Sequence, residues 1–202
     1  PESKALIEAM PEEHRLMVDL WLNTGMRPQE IYALAWDNVD LQQRAVTVSE
    51  ACTNPSTVKE TKGRTKRRLR VSERLLGALQ GHESQRPIKV EFTPTLGTHR
   101  TVIRHFVFPS KGSKMRPMVD GPYFRDNVWK PVVRAIGKPD LVPYDLRHTF
   151  ASRAIQAGAD IKALQGWLGH SSATLTLDTY GHLFPDRLDE LADRIEETWE
   201  EA

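Results

Sequence analysis

The sequence predicts an α+β domain that is mostly helical, with a small antiparallel sheet and a β-hairpin. Three observations carry this. Apolar residues recur at helical spacing over most of the chain, in runs opened by Ser, Asp or Pro and closed by Gly. Alternation with a period of two is confined to the middle, between Val39 and Val71. The 202 residues, 39% hydrophobic and 27% charged, suffice for one domain with a real core.

Residues 2–10 and 11–24 read as helices, the second stopped by Gly25. Pro28 opens another, with Ile31, Leu34 and Ala35 on one face. Val39 to Val48 alternates and reads as one strand. Val58 and Leu69–Val71 flank the basic turn Lys62-Gly63-Arg64, which predicts a β-hairpin with Gly at its bend. Ser72 caps a short helix through Leu79. Residues 81–105 hold Pro87, Pro94 and Gly97 and read as an insertion with short strands. Pro122 to Ile136 is a helix interrupted near Pro131. Tyr144 to Ala157 is helical and ends at Gly158. Asp160 caps Ile161–Leu168, and Gly169 closes it. Ser171 or Ser172 caps a helix containing Leu175 and Tyr180. Leu188, Leu191, Ile195 and Trp199 lie at helical spacing in a last helix, 186–202. No internal repeat is evident.

Charge is segregated although the net is only +1, from 28 Lys+Arg and 27 Asp+Glu. From Lys59 to Arg70 there are seven bases (Lys59, Lys62, Arg64, Lys66, Arg67, Arg68, Arg70) and one acid, Glu60. Arg100, Arg104, Lys111, Lys114 and Arg116 form a second basic segment. From Asp186 to Ala202 there are eight acids and two bases. A basic block of this density favours nucleic acid over a merely solvated hairpin. No apolar run approaches the ~18–20 residues of a membrane span. A lone Cys52 excludes an intramolecular disulfide framework and fits a reducing, cytoplasmic compartment. No metal-ligand spacing and no P-loop occurs, so no metal or other cofactor is implied. The chain begins with Pro1, which reads as a domain cut from a longer protein.

Five segments then stand in order: Thr24-Gly25-Met26-Arg27-Pro28-Gln29-Glu30-Ile31, the basic turn at Lys62, Tyr144-Asp145-Leu146-Arg147-His148-Thr149-Phe150-Ala151, Leu168-Gly169-His170-Ser171-Ser172, and Asp178-Thr179-Tyr180-Gly181-His182-Leu183-Phe184-Pro185. Together they resemble the first arginine box, the β-hairpin with the mobile lysine, the second arginine box, the histidine motif and the nucleophile motif of tyrosine recombinases, the phage-integrase group. The resemblance spans most of the chain and implies that family's catalytic domain over 1–202, with the family's N-terminal DNA-binding domains absent.

What the resemblance implies is chemically coherent. Arg27 and Arg147 would clamp the two non-bridging oxygens of a scissile phosphate, which guanidinium forks suit. Tyr180 would attack phosphorus and form a 3′-phosphotyrosyl bond, so that no ATP is needed. Lys62 would protonate the leaving 5′-oxygen, with Lys59 and Lys66 as alternatives. His170 would donate to a non-bridging oxygen. Lys59, Arg64, Lys66, Arg67 and Arg68 would contact DNA phosphates. The arginine set would supply the positive charge that magnesium supplies elsewhere. Plainer readings stand beside these. Each arginine could pair with a carboxylate such as Glu30 or Asp145, Tyr180 could be a half-buried aromatic, and His170 could cap a helix end.

The second box departs from the family, which usually has His where this chain has Tyr144. A phenol mostly donates, so Tyr144 would support the phosphate but would be a poor base. His148 occupies a position that is mostly structural in the family. By the same resemblance the partners are double-stranded DNA at attachment sites and a homotetramer tethered through the C-terminal helix, with accessory DNA-bending or directionality factors. The acidic helix 186–202 should face away from DNA. Two other readings are a type IB topoisomerase and a non-catalytic DNA-binding module, the latter suggested by the helix–turn–helix outline of 160–181.

Overall fold

A computed structural model describes residues 2–61, 66–82, 88–94, 98–110 and 119–184. The turn Lys62-Gly63-Arg64 and the helix expected at 186–202 lie outside the described residues, as do Lys111, Lys114 and Arg116.

Helices α1 (Glu2–Ala9) and α2 (Glu12–Thr24) form where the spacing predicts them. Met17, Val18, Leu20 and Trp21 of α2 are fully buried. Gly25 ends α2 in the left-handed region at φ 60°, its N–H donating to Trp21 O. A Cβ there would sit 2.4 Å from Phe150 Cδ1, so both conformation and space demand glycine. Helix α3 (Pro28–Tyr32) is shorter than expected. Leu34 and Ala35 leave it for an antiparallel bridge, Ala35 to Phe106, flanked by Trp36 N–H on His105 O and Val107 N–H on Leu34 O. Pairing with a distant strand outweighs a one-turn extension of a short helix.

The stretch read as one strand is two. β1 (Val39–Asp40) and β2 (Ala45–Val48) pair antiparallel, reversed at Arg44 with φ 49°. β3 (Glu50–Asn54) follows directly and turns at Pro55-Ser56 into β4 (Thr57–Glu60). The hairpin among the described residues is therefore β3–β4, and the stretches expected as arms on either side of Gly63 lie in different sheets. β5 (Arg67–Arg70) is antiparallel to β2. Glu50 pairs with Glu60 in one sheet, whereas Val48 pairs with Arg67 in the other. β1-β2-β5 make a three-stranded antiparallel sheet. After α4 (Glu73–Gln80), capped by Ser72, come β6 (Ile88–Thr93) and β7 (Arg100–Arg104). They extend β3-β4 to four strands, with β4 and β6 parallel.

A helical stretch runs from α5 (Gly121–Tyr123) through a π-helical turn, Phe124–Trp129, to α6 (Lys130–Ala135). The wider turn sits just before Pro131, which lacks an N–H for the ladder. Then follow α7 (Asp145–Gln156), α8 (Ile161–Leu168) and α9 (Ala173–Tyr180), with a 3₁₀ turn Gly181–Leu183. Asp160 caps α8 through Ala163 N–H at 2.7 Å, and Ser172 rather than Ser171 caps α9 through Leu175 N–H at 3.2 Å.

The main core joins α1–α6, the first turn of α7 and both sheets. A second, small core holds Ala151, Ile155, Leu164, Leu168 and Tyr180. No described helix is long and apolar enough to cross a membrane.

Candidate active site

The site forms where three chain turns meet: the end of α2, the start of α7 and the end of α8. Arg27 is the N-cap of α3. Glu30, three residues on, accepts from Arg27 N–H at 2.7 Å and from Arg27 Nη1 at 3.0 Å. Arg27 Nη2 reaches across to Gly169 O at 3.1 Å. Glu30 is buried and also takes both forks of Arg67, at 2.9 and 2.5 Å. Arg67 Nε donates to Trp167 O at 2.9 Å.

Arg147 is fully buried in the first turn of α7. Its Nη1 donates to Gly25 O at 2.6 Å and its Nη2 to Leu168 O at 2.8 Å. Its Nε is buried and has no hydrogen-bond partner among the described residues. No described carboxylate pairs with it: Asp145 instead accepts from Val142 N–H at 2.8 Å. Backbone carbonyls at two helix ends thus hold this guanidinium. Burial first, then the charge of Arg27, lowers its pKa to about 10, so it stays charged. A buried cation with carbonyl partners and an orphan N–H is a site for an anion.

His170 lies just past α8, its Nδ1 2.9 Å from Thr176 Oγ1. Burial, then the charges of Arg147, Arg27 and Arg67, holds its pKa at about 4. It is therefore neutral near pH 7. Its ring stacks on Tyr180, centroids 6.4 Å apart. Tyr180 ends α9 and is 3% exposed. Burial raises the Tyr180 pKa, and the charge of Arg147 opposes that rise. Tyr180 Oη lies 2.9 Å from His148 Nδ1. Tyr144, 41% exposed, sets its ring edge-on to His148 at 5.2 Å.

The structure therefore brings Arg27, Arg147, His170, Tyr144 and Tyr180 together. Lys62 and Arg64 lie outside the described residues. Arg67 corrects an expectation. It is not on the basic surface but buried at 9% exposure, its guanidinium spent on Glu30 and Trp167 O. Arg68 is on the surface, paired with Asp40 at 3.0 Å. Lys59 is half-buried on β4, and exposed Lys66 lines a cavity of about 440 Å³ with Glu50, Glu60, Phe92 and Arg104. Arg104 is tied to Glu50 and lies over the Phe92 ring, so it too is structurally engaged.

The sequence assigns Glu30 and His148 no functional role and assigns Arg67 to DNA phosphates instead of to this network, although each carries a signal of its place here. Glu30 is at N3 of a Pro-started helix, the capping-box position. Arg67 is two residues before buried Leu69, hence on the inward face of a strand. His148 is four residues after Tyr144, hence on the same helix face.

The His170 shift predicts a pH dependence. Its folded pKa lies below its ordinary 6.5, so the unfolded chain takes up the proton first. Stability should fall as pH drops from 6.5 towards 4. Glu30, whose pKa is lowered from 4.5 by its arginine partners against the effect of burial, adds a further loss below that value. Thermal melts across this range should slope less in His170→Asn than in wild type; equal slopes would refute the assignment.

The model of the phage integrase family matches residues 2–187. The chain is 28% identical over 211 residues to the ICEBs1 integrase of Bacillus subtilis, covering 97% of this chain and 53% of that protein. It is 28% identical over 204 residues to the integrase of Salmonella phage P22, covering 96% of this chain and 46% of the phage protein. It is 30% identical over 203 residues to the tyrosine recombinase XerD of Corynebacterium glutamicum, covering 94% and 58%. The chain thus spans about half the length of these curated relatives. In fold it is similar to the Tn1549 transposon integrase solved with transposon right end DNA, at TM-score 0.72 and 20% identity, covering 96% of this chain and 63% of that one. It is also similar to the catalytic domain of bacteriophage HP1 integrase, at TM-score 0.59 and 19% identity, covering 95% and 89%.

Proposed function

Since this chain belongs to the phage integrase family, we propose that it is the catalytic part of a site-specific DNA recombinase that cuts and rejoins DNA through a tyrosyl intermediate. The observation that supports this best is buried Arg147, charged and, among the described residues, without a carboxylate partner, beside the buried phenol of Tyr180. Arg27 and Arg147 bind the non-bridging oxygens of one phosphodiester. Both keep their carbonyl contacts, so the phosphate enters a preset field and little reorganises. Tyr180 Oη attacks phosphorus, giving a 3′-phosphotyrosyl bond and a free 5′-hydroxyl. His170, neutral in the empty site, donates to a phosphate oxygen. Lys62 protonates the leaving oxygen. Lys59, Arg64, Lys66 and Arg68 follow the backbone of the duplex, while Arg67 positions Glu30 and through it Arg27.

Phosphate binding adds negative charge between the arginines, which offsets their share of the depression of His170 while burial, the larger cause, remains. The phosphodiester energy is kept in the adduct, so neither ATP nor a metal ion takes part. The working assembly on double-stranded DNA is a homotetramer joined through residues 186–202, acting in the cytoplasm, with accessory bending or directionality factors.

The test is covalent trapping by the full chain. Nicked duplexes tiled across the DNA flanking its gene are incubated with protein in EDTA and run on a denaturing gel. An SDS-resistant protein–DNA band is expected at one duplex. A band only with added magnesium would remove the metal-free reaction. Relaxation of any supercoiled plasmid with no preferred duplex would indicate a topoisomerase instead.

A further inference from the structure

Tyr144 occupies the place of the second box's usual histidine, which leaves the nucleophile's proton without an obvious acceptor. The groups around Tyr180 can be taken in turn. Arg147 only donates. Tyr144 is itself a phenol. His170 has Nδ1 committed to Thr176, and burial first, then the charges of three arginines, make its ring a weak base. His148 is different. Its Nδ1 stands 2.9 Å from Tyr180 Oη, within the reach a general base needs. The two rings are packed, centroids 5.6 Å apart, and the ring of Tyr144 also meets the imidazole edge-on at 5.2 Å. His148 also directly follows Arg147 on α7, so one helical turn delivers both the phosphate clamp and the acceptor.

Resting on the recombinase reading above, we propose that His148 is the general base that takes the proton of Tyr180 during strand cleavage. The Oη–phosphorus bond forms as the phosphorus–O5′ bond breaks. The phenolic proton passes to His148 Nδ1, and the leaving 5′-oxygen takes a different proton, from Lys62. On rejoining, the 5′-hydroxyl attacks phosphorus and gives its proton back to Lys62. The departing Tyr180 oxygen recovers its own from His148. Tyr144 then serves as a positioning residue for the imidazole rather than as a base.

The experiment compares cleavage by the full chain on the nicked duplexes above, with an ordinary phosphate and with sulfur replacing the bridging 5′-oxygen. A thiolate leaves without an acid, so sulfur rescues loss of the acid and not loss of the base. His148→Asn keeps a hydrogen-bonding atom near Nδ1 but accepts no proton. It should cleave both substrates about 100-fold more slowly or worse. Lys62→Ala should recover on the sulfur substrate. Added imidazole should restore His148→Ala in proportion to its concentration. Melting curves and gel shifts accompany each variant. The inference is overturned if His148→Asn cleaves at the wild-type rate, if sulfur restores it, or if His148→Ala folds and binds DNA but ignores imidazole. It is also overturned if both variants unfold, which would make the contact structural. If wild type itself forms no adduct on any duplex, the recombinase reading fails and this inference falls with it. An adduct in wild type, with unaffected variants, removes this inference alone.

Discussion

Replacing Tyr180 with Phe is expected to abolish the covalent protein–DNA adduct while leaving the fold and DNA binding almost intact. The change removes one oxygen and keeps the ring. That ring fills the small core beside Ile155, Leu164 and Leu168, so its packing is preserved. The bond lost among the described residues is that of Oη with His148 Nδ1. A hydrogen bond of this kind contributes about 1 kcal/mol net, so a small fall in melting temperature is expected. Chemistry responds differently, because among the described residues Tyr180 is the buried phenol in the field of Arg147. The readouts are a denaturing gel for the adduct, a gel shift for binding and a denaturant titration for stability. Adduct persisting in Tyr180→Phe would mean another nucleophile. Exposed Tyr144 would be the first to test, and Tyr144→Phe alone should leave the adduct in place.

Glu30→Ala should be the most damaging single change to stability around the site. Glu30 is 3% exposed and serves two arginines and one backbone N–H. Without it, Arg67 stays buried with no counter-charge, and Arg27 loses the contact that aims it. Removing one partner of a buried ion pair costs about 3–5 kcal/mol, because the other charge is left uncompensated. Cleavage should fall with it, since Arg27 is no longer held at the phosphate position. Sulfate or phosphate should raise the melting temperature of Glu30→Ala more than that of wild type, by partly replacing the lost negative charge. Glu30→Gln, which retains an acceptor, should lie between. An unfolding free energy unchanged in Glu30→Ala would contradict this network.

Much of the scaffold was legible because it depends on local chemistry. Gly25 and Gly169 close α2 and α8 with positive φ, and Ser72, Asp160 and Ser172 cap as their positions imply. The motif residues Arg27, Arg147, His170 and Tyr180 converge although more than 150 positions separate the first from the last. The sheet was less legible, since strand partners are chosen by the whole chain. Val58 and Leu69 look like two arms of one hairpin, yet each pairs with a different part of the run from Ala45 to Asn54. The early end of α3 depends on Phe106, more than 70 residues away, which no local pattern carries. Arg67 was assigned to DNA by its neighbours' charge. The alternation that buries Leu69 buries Arg67 as well, and Glu30 is there to receive it.

The carbonyl grip on Arg147 has a hereditary consequence. Its two fixed partners are Gly25 O and Leu168 O, and every amino acid carries a carbonyl. A missense change at position 168 swaps a side chain but leaves the acceptor in place. A cation held by a carboxylate could be released by one codon change in its partner; this one can be released only by moving the main chain. Gly25 is the position where a single codon does that, because any Cβ meets the ring of Phe150. The anchor of Arg147 is thus buffered against drift at one of its two supports and exposed at the other.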